Sequence, residues 1–370
     1  MEALILSCGT GGGHNAAAEA IAEELRARGH KAEILDPYAL VGSGLAISVS
    51  NAYIRLVQKL PGAFGCLYGL ANLIRKLPFV SPVYLVNRKM SAYMHDFLAK
   101  RNFDVIIMPH LFPAEIVTAM KKKGQKLPLT LFIATDYTCI PFTEETECDY
   151  YVIPAAELTP EFCKCGLAPE KLRPFGIPVS SRFTSEDTPA NAKRRLGLAD
   201  DITYLLISGG SMGAGKLRKI VHWLYQASDE KQHLIVICGS NEKLYRKLCR
   251  EYSENSRVQV IRKTDQMADY IKGCAAFFSK PGGLSSTEAA VSGTFLVHIS
   301  PIPGCETRNV QFFSEHGMSF DVGKNKELLL SALHRSADAK EVQKMQTVQH
   351  QFINRFAAQD ICNFIENHVS

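Results

Sequence analysis

The chain has 370 residues, 46% of them hydrophobic and 21% charged, enough to bury a full core and to build two domains, which excludes a disordered or fibrous protein. Its 42 Lys and Arg against 37 Asp and Glu give a net charge of +5, too mild for a nucleic-acid binder that concentrates basic charge on one face. Eleven cysteines without a C-x-x-C read as reduced thiols of a cytoplasmic protein. Neither a basic signal-peptide start nor an apolar run of about 18 residues points to export or membrane spanning.

Short β-type runs alternate with helical patterns along the chain, the signature of βαβ units and parallel sheets. Strands are expected at 3–7, 32–35, 104–108, 129–133 and 150–153, and again at 203–208, 233–238, 258–261, 275–279 and 295–299. Between the two sets, residues 176–183 and the polar stretch 184–191 read as a hinge. The expectation is an α/β protein of two doubly wound, Rossmann-like domains, residues 1–180 and 181–340. A last helix over 341–370 follows from the spacing of Val342, Met345, Phe352, Phe356, Ile361 and Phe364.

After the first strand comes Ser7-Cys-Gly-Thr-Gly-Gly-Gly-His14, and then a helical run. Glycines ahead of a helix let backbone amides and the helix dipole approach an anion, and Gly12 and Gly13 are assigned to a phosphate-type cradle. A tight strand-to-helix turn has the same sequence. His14 stands where the dinucleotide fingerprint has its last glycine, and an imidazole there can accept a proton near neutral pH. One segment breaks the αβ rhythm: residues 37–95 contain no Asp or Glu, six basic residues and seven aromatic ones. Such an insertion suits an anionic membrane surface, and Tyr53, Arg55, Lys59, Phe64, Tyr68, Arg75 and Lys76 are its candidate contacts. An ordinary helical subdomain with a solvated basic face has the same composition. His110, just after the third strand, is a further candidate for the acceptor side.

The second set opens with Ser208-Gly-Gly-Ser-Met-Gly-Ala-Gly-Lys216, matching G-x-x-x-x-G-K from Gly210, yet Leu217 replaces the hydroxyl residue that would bind magnesium. That argues against a P-loop nucleotidase and leaves a phosphate cradle at Gly210, Ser211, Met212 and Gly213. A third constellation runs Ser279-Lys-Pro-Gly-Gly-Leu-Ser-Ser-Thr-Glu288, followed by Ser300-Pro-Ile-Pro-Gly-Cys-Glu-Thr-Arg-Asn309. Lys280, Gly282, Gly283, Leu284 and Ser285 again open a helix toward an anion. Glu288 can accept two hydrogen bonds from a ribose diol, and Glu306 and Asn309 can hold sugar hydroxyls. Turns of this kind at the C-terminal ends of parallel strands imply a nucleotide diphosphate bound in a cleft faced by both domains.

These residues resemble the family 28 glycosyltransferases, most closely the branch of monogalactosyldiacylglycerol synthases and processive diacylglycerol glucosyltransferases. The resemblance extends from the Gly-Thr-Gly-Gly-Gly-His-Asn loop to about Gly317, and its most specific part is the pair Lys280–Ala289 and Pro303–Asn309. It implies a GT-B fold, a UDP-hexose bound mainly by the C-terminal domain, and a diacylglycerol-type lipid docked on the N-terminal one at the inner face of the cell membrane. By this likeness Glu288 holds the ribose, Glu306 and Asn309 the donor sugar, Ser211 to Gly213 the diphosphate, and His14 lies near the acceptor hydroxyl. The tail would cross back to the first domain. Cys305 stands where the family carries glutamine, and the loop after Asp136 lacks the histidine and tryptophan of many relatives.

The reaction expected is displacement at the anomeric carbon with inversion. His14 or Asp136 is the base, and backbone amides with Lys216 or Lys280 carry the departing diphosphate. With no D-x-D in the sequence, neither a metal clamp nor a further cofactor is expected. Three rivals share these residues: a transferase acting on polyprenyl-pyrophosphate sugars, a sugar-nucleotide epimerase, and a catalytically silent nucleotide-sugar sensor.

Overall fold

The computed structural model describes residues 1–9, 11–42, 44, 48, 61–75, 77 and 79–369, with the backbone alone at 61–64. The chain forms two compact units. The first comprises Met1–Ser181, Pro303–Cys305 and Phe356–Ser370, the second Arg182–Ile302 and Glu306–Arg355.

The first unit is built on six parallel strands: β1 Glu2–Leu6, β2 Lys31–Leu35, β3 Val105–Met108, β4 Leu129–Ile133, β5 Tyr150–Val152 and β6 Leu172–Arg173, in the order β2-β1-β3-β4-β5-β6. The second has β7 Thr203–Ser208, β8 Gln232–Ile237, β9 Val258–Ile261, β10 Ala276–Ser279, β11 Phe295–Ile299 and β12 Phe320–Gly323, in the order β12-β11-β10-β7-β8-β9. Central strands such as Val105-Ile-Ile-Met108 and Phe295-Leu-Val-His-Ile299 are buried at every position, as strands covered by helices on both faces must be. Ten of the twelve strands coincide with the expected runs to within a residue or two. β6 and β12, both at sheet edges, fall outside those runs.

Each strand order reverses once, between β1 and β3 in the first unit and between β7 and β10 in the second. At such a reversal the connecting helices leave to opposite faces and open a crevice beyond the carboxyl ends of the two strands. The sequence places its motifs there: Gly9–His14 follows β1, Pro109–His110 follows β3, Gly209–Lys216 follows β7 and Lys280–Gly283 follows β10.

The tail expected as one helix is two, Ala339–Phe352 and Ala357–Val369. The first stays in the second unit. The second buries Ile361, Cys362 and Ile365 among Ala18, Ile21 and Leu25 of the helix Gly12–Ala27, and each fully buried isoleucine contributes about 1.5–3 kcal/mol. Arg28 clamps this helix to the first unit through Glu366 at 2.8 Å.

Candidate active site

In the first unit the helix Gly12–Ala27 starts directly at the end of the glycine-rich turn. Gly12 and Gly13 lie inside its first turn, rather than in a loop ahead of it, and none of the turn's backbone needs a left-handed conformation at these two residues. His14 is therefore carried on a rigid helical turn. Its Nδ1 lies 2.7 Å from the Pro109 carbonyl and 2.9 Å from the Thr135 hydroxyl. A carbonyl can only accept, so Nδ1 holds the proton and Nε2 is the basic nitrogen. Burial lowers the pKa of His14 from its usual 6.5, and the nearby Asp136 carboxylate and the Pro109 carbonyl offset part of this. His14 is thus neutral at pH 7, with Asp136 placed to stabilise the imidazolium once a proton arrives. His14, Thr135, Asp136 and Thr138 line one small cavity.

His110, expected on the acceptor side, has a structural part as well. It is 6% exposed, its Nδ1 accepts the Phe112 N–H at 3.1 Å as the N-cap of the helix Leu111–Lys122, and its ring packs edge-on against His14 at 4.5 Å. Burial drives its pKa well below 6.5, with the neighbouring His14 adding to the effect, which keeps a second positive charge away from His14.

In the second unit the glycine-rich loop folds back on itself. Ala214 donates to the Gly209 carbonyl at 3.0 Å and Gly213 to the Gly210 carbonyl at 2.9 Å. Gly213 has φ 56°, and a Cβ on it would fall 2.0 Å from the Cys238 carbonyl oxygen, so only glycine fits. Ser211 is exposed at the top of the loop, whereas Met212 beside it is buried. The loop leads into the helix Leu217–Ala227, whose N-cap Lys216 makes no side-chain cap. The helix Gly283–Val291 likewise starts behind Gly282 without a side-chain cap. Both starts keep backbone N–H groups and the positive end of a helix dipole for an anion.

Glu288 sits on the second of these helices, half-buried, with its pKa pushed up to about 8 by burial. Ser285 beside it is half-buried and Leu284 is core, 5% exposed. Glu306 is 6% exposed and ion-paired to Lys280, and its other oxygen accepts the Ile302 N–H at 2.8 Å. Asn309, fully buried, donates to the Pro281 carbonyl at 3.0 Å. Ser300, part of the sequence motif but without a role there, has φ 47° and a buried hydroxyl without a partner among the described residues. It follows a register shift in β11 at His298/Ile299, and its Cβ fills the space that a side chain on Gly215 would need.

The sequence profile of monogalactosyldiacylglycerol (MGDG) synthase matches residues 14–179, and that of the glycosyltransferase family 28 C-terminal domain matches residues 204–361. The chain belongs to this glycosyltransferase family. A processive diacylglycerol beta-glucosyltransferase of Bacillus pumilus is 22% identical over 347 residues, 92% of this chain and 88% of its own length. The protein of that description from Staphylococcus saprophyticus is 25% identical over 229 residues, 60% and 56% of the two chains. Among solved structures, Acinetobacter baumannii MurG has a TM-score of 0.65 at 15% identity and 99% coverage of both chains. Anabaena HepE, solved with UDP-glucose, has 0.58 at 14% identity, covering 99% of this chain and 100% of its own. These likenesses identify the pair of Rossmann-like units as a GT-B fold.

For this glycosyltransferase the basic, aromatic insertion divides into three groups. Tyr53, Arg55, Lys59 and Lys76 lie outside the described residues, as does the side chain of Phe64. Arg75 is not a free headgroup contact: it is 13% exposed and grips Glu144 through two hydrogen bonds, at 2.9 and 2.6 Å, and the Cys139 carbonyl at 3.1 Å. Tyr68, on the helix Pro61–Ile74, is half-buried, and burial raises the pKa of its hydroxyl. The described part of the insertion supplies ten of the twelve large hydrophobic side chains exposed among the described residues, including Leu67, Leu70, Leu73, Leu77, Phe79, Val86 and Tyr93. No helix of the described residues is long and apolar enough to cross a membrane. Among those residues, no group of three or more His, Cys, Asp or Glu side chains is arranged to hold a metal ion.

Proposed function

We propose that this glycosyltransferase transfers a hexose from a UDP-sugar to the hydroxyl of a diacylglycerol-type lipid, with inversion, while docked on an anionic membrane surface at its cytoplasmic face. The observation that carries the lipid reading is the exposed apolar surface of the insertion. Side chains 49% exposed at Leu70, 60% at Leu73 and 57% at Phe79 have no reason to gather on a unit that binds only soluble substrates. The relatives' description as diacylglycerol glucosyltransferases supports the acceptor class and favours glucose as the hexose. All eleven cysteines are free thiols, which suits the reducing cytoplasmic side.

In the reaction the acceptor oxygen attacks the anomeric carbon, its proton passes to His14 Nε2, and the bond from that carbon to the diphosphate oxygen breaks, releasing UDP. Asp136 supports the imidazolium that forms. The amides at the two uncapped helix starts, at Leu217 and at Gly283 to Ser285, take the charge of the diphosphate, assisted by Lys216. Glu288 accepts the ribose hydroxyls and Glu306 those of the hexose. Neither the base nor the amide groups calls on a bound cofactor.

The test is UDP release from UDP-glucose, UDP-galactose and UDP-N-acetylglucosamine, measured with vesicles containing diacylglycerol, with vesicles containing a polyprenyl-pyrophosphate sugar, and with vesicles lacking both. Release from a UDP-hexose that depends on diacylglycerol is expected. Release only with a polyprenyl-pyrophosphate sugar, epimerisation without an acceptor, or UDP-sugar binding without turnover would each replace this reading by the corresponding rival.

A further inference from the structure

Lys280 leaves the end of β10, and Glu306 lies in the first turn of the helix Cys305–Glu315, 26 residues later. Their side chains, 11% and 8% exposed, meet in an ion pair. The lysine stem passes over Gly210, where an added Cβ would come within 3.3 Å of Lys280 Cε. The second Glu306 oxygen is fixed by the Ile302 N–H, and in the opposite direction the Asn309 amide reaches back to the Pro281 carbonyl. The two motif segments are thereby joined twice, once by charge and once by a side chain to backbone bond. Burying a carboxylate is costly unless it is paired and hydrogen-bonded, and Lys280 and the Ile302 N–H supply both partners. Ionised, it has about four acceptor sites, and the bonds from Lys280 and from the Ile302 N–H leave the remainder for donor hydroxyls.

We propose that Lys280 is a positioning residue for the donor hexose: it acts through Glu306, holding that carboxylate in place and aimed to accept sugar hydroxyls, and does not carry the diphosphate. This inference rests on the reading of the second unit as a UDP-sugar site.

The experiment compares the wild type with Lys280→Met, Lys280→Arg, Glu306→Gln and the double variant Lys280→Met/Glu306→Gln. It measures calorimetric affinity for UDP, together with KM and kcat for the UDP-hexose. In Lys280→Met the UDP affinity stays within about twofold while kcat/KM for the UDP-hexose falls by about tenfold or more. Glu306→Gln behaves alike, the double variant is no worse than the poorer single one because both remove the same device, and Lys280→Arg recovers most of the loss. The double variant removes both buried charges, so its behaviour is read even if Lys280→Met alone folds poorly. A tenfold weakening of UDP itself in the double variant would make Lys280 a diphosphate ligand and overturn the inference, as would an equal loss of UDP and UDP-hexose binding in it. A wild type that binds no UDP defeats the donor reading and this inference together. Normal UDP binding with unchanged UDP-hexose kinetics in the variants defeats this inference alone.

Discussion

Glu288 gives the sharpest quantitative expectation. Its carboxyl is held at about 8 by burial on the helix Gly283–Val291, so at pH 7 about one molecule in eleven carries the ionised form that a ribose diol recognises. The sign follows from the direction of the shift: the acid is neutral below pH 8 and ionised above it, so affinity for UDP rises with pH. If the bound state requires the carboxylate, apparent affinity is scaled by the ionised fraction. It should therefore increase about tenfold between pH 7 and pH 9, equivalent to about 1.4 kcal/mol, and flatten beyond. The second phosphate ionisation, near pH 6, lies below that window. Calorimetric titration with UDP at pH 7, 8 and 9 measures the slope. Repeating it at pH 7 in two buffers of different ionisation enthalpy should show close to one proton released per UDP bound. Glu288→Gln should bind UDP with a flat profile over the same range and approach the wild type most closely at pH 7. A flat wild-type profile, or a slope that survives in Glu288→Gln, would refute the reasoning.

His14→Ala should lower kcat by about 10²–10⁴-fold with UDP affinity intact. In Glu288→Gln, whose donor binding no longer titrates through that carboxyl, the acid limb of kcat/KM should lie below pH 6.5, because burial lowers the His14 pKa and the neutral ring is lost only as pH falls through that lower value; a limb above 6.5 in that variant would contradict the assignment. Gly213→Ala places a methyl group 2.0 Å from the Cys238 oxygen at φ 56° and should reduce unfolding free energy by about 2–4 kcal/mol in a urea titration, with a change under about 0.5 kcal/mol counting against the packing argument. Replacing the exposed Leu70 and Leu73 together by glutamate should abolish sedimentation with anionic vesicles and leave stability within about 0.5 kcal/mol of the wild type; retained vesicle binding would move the membrane surface elsewhere.

What could be read directly from the sequence was whatever is encoded locally. The inner strands are unbroken apolar runs because both their faces are covered, and the motif turns carry their glycines within a few positions. β6 is two residues long and β12 ends in glycine, and each pairs with one neighbour only, so neither needed a long apolar run to form. The tail kept its helical spacing on both sides of Ile353, but that residue adopts an extended backbone at φ −103°, and the spacing alone did not reveal the break. Above all, contacts distant in the chain were not visible. Arg75 looked like a lipid contact because its neighbourhood holds no acid, yet its partner Glu144 lies 69 residues away. The groups that fix the His14 tautomer, the Pro109 carbonyl and Thr135, lie 95 and 121 residues from it. Thr135 adjoins Asp136 at the end of β4, a position that would have drawn notice had the sheet order been known.

The loop after β7 also explains why its likeness to a nucleotidase signature misleads. Gly213 is glycine because the Cys238 oxygen occupies its Cβ position, and Gly210 lies where the Lys280 stem passes. These are demands of the protein's own packing, and they hold with or without a ligand. A glycine count therefore says nothing about where the phosphates sit. That information resides in which amides the folded loop leaves uncommitted. The Gly213 and Ala214 N–H groups are already spent on the Gly210 and Gly209 carbonyls. The starts of the helix Leu217–Ala227 and of the helix behind Gly282 have no side-chain cap and offer their amides to an anion, and a diphosphate that took the Gly213 and Ala214 amides of the closed turn would have to break two hydrogen bonds to do so, at about 0.5–1.5 kcal/mol each.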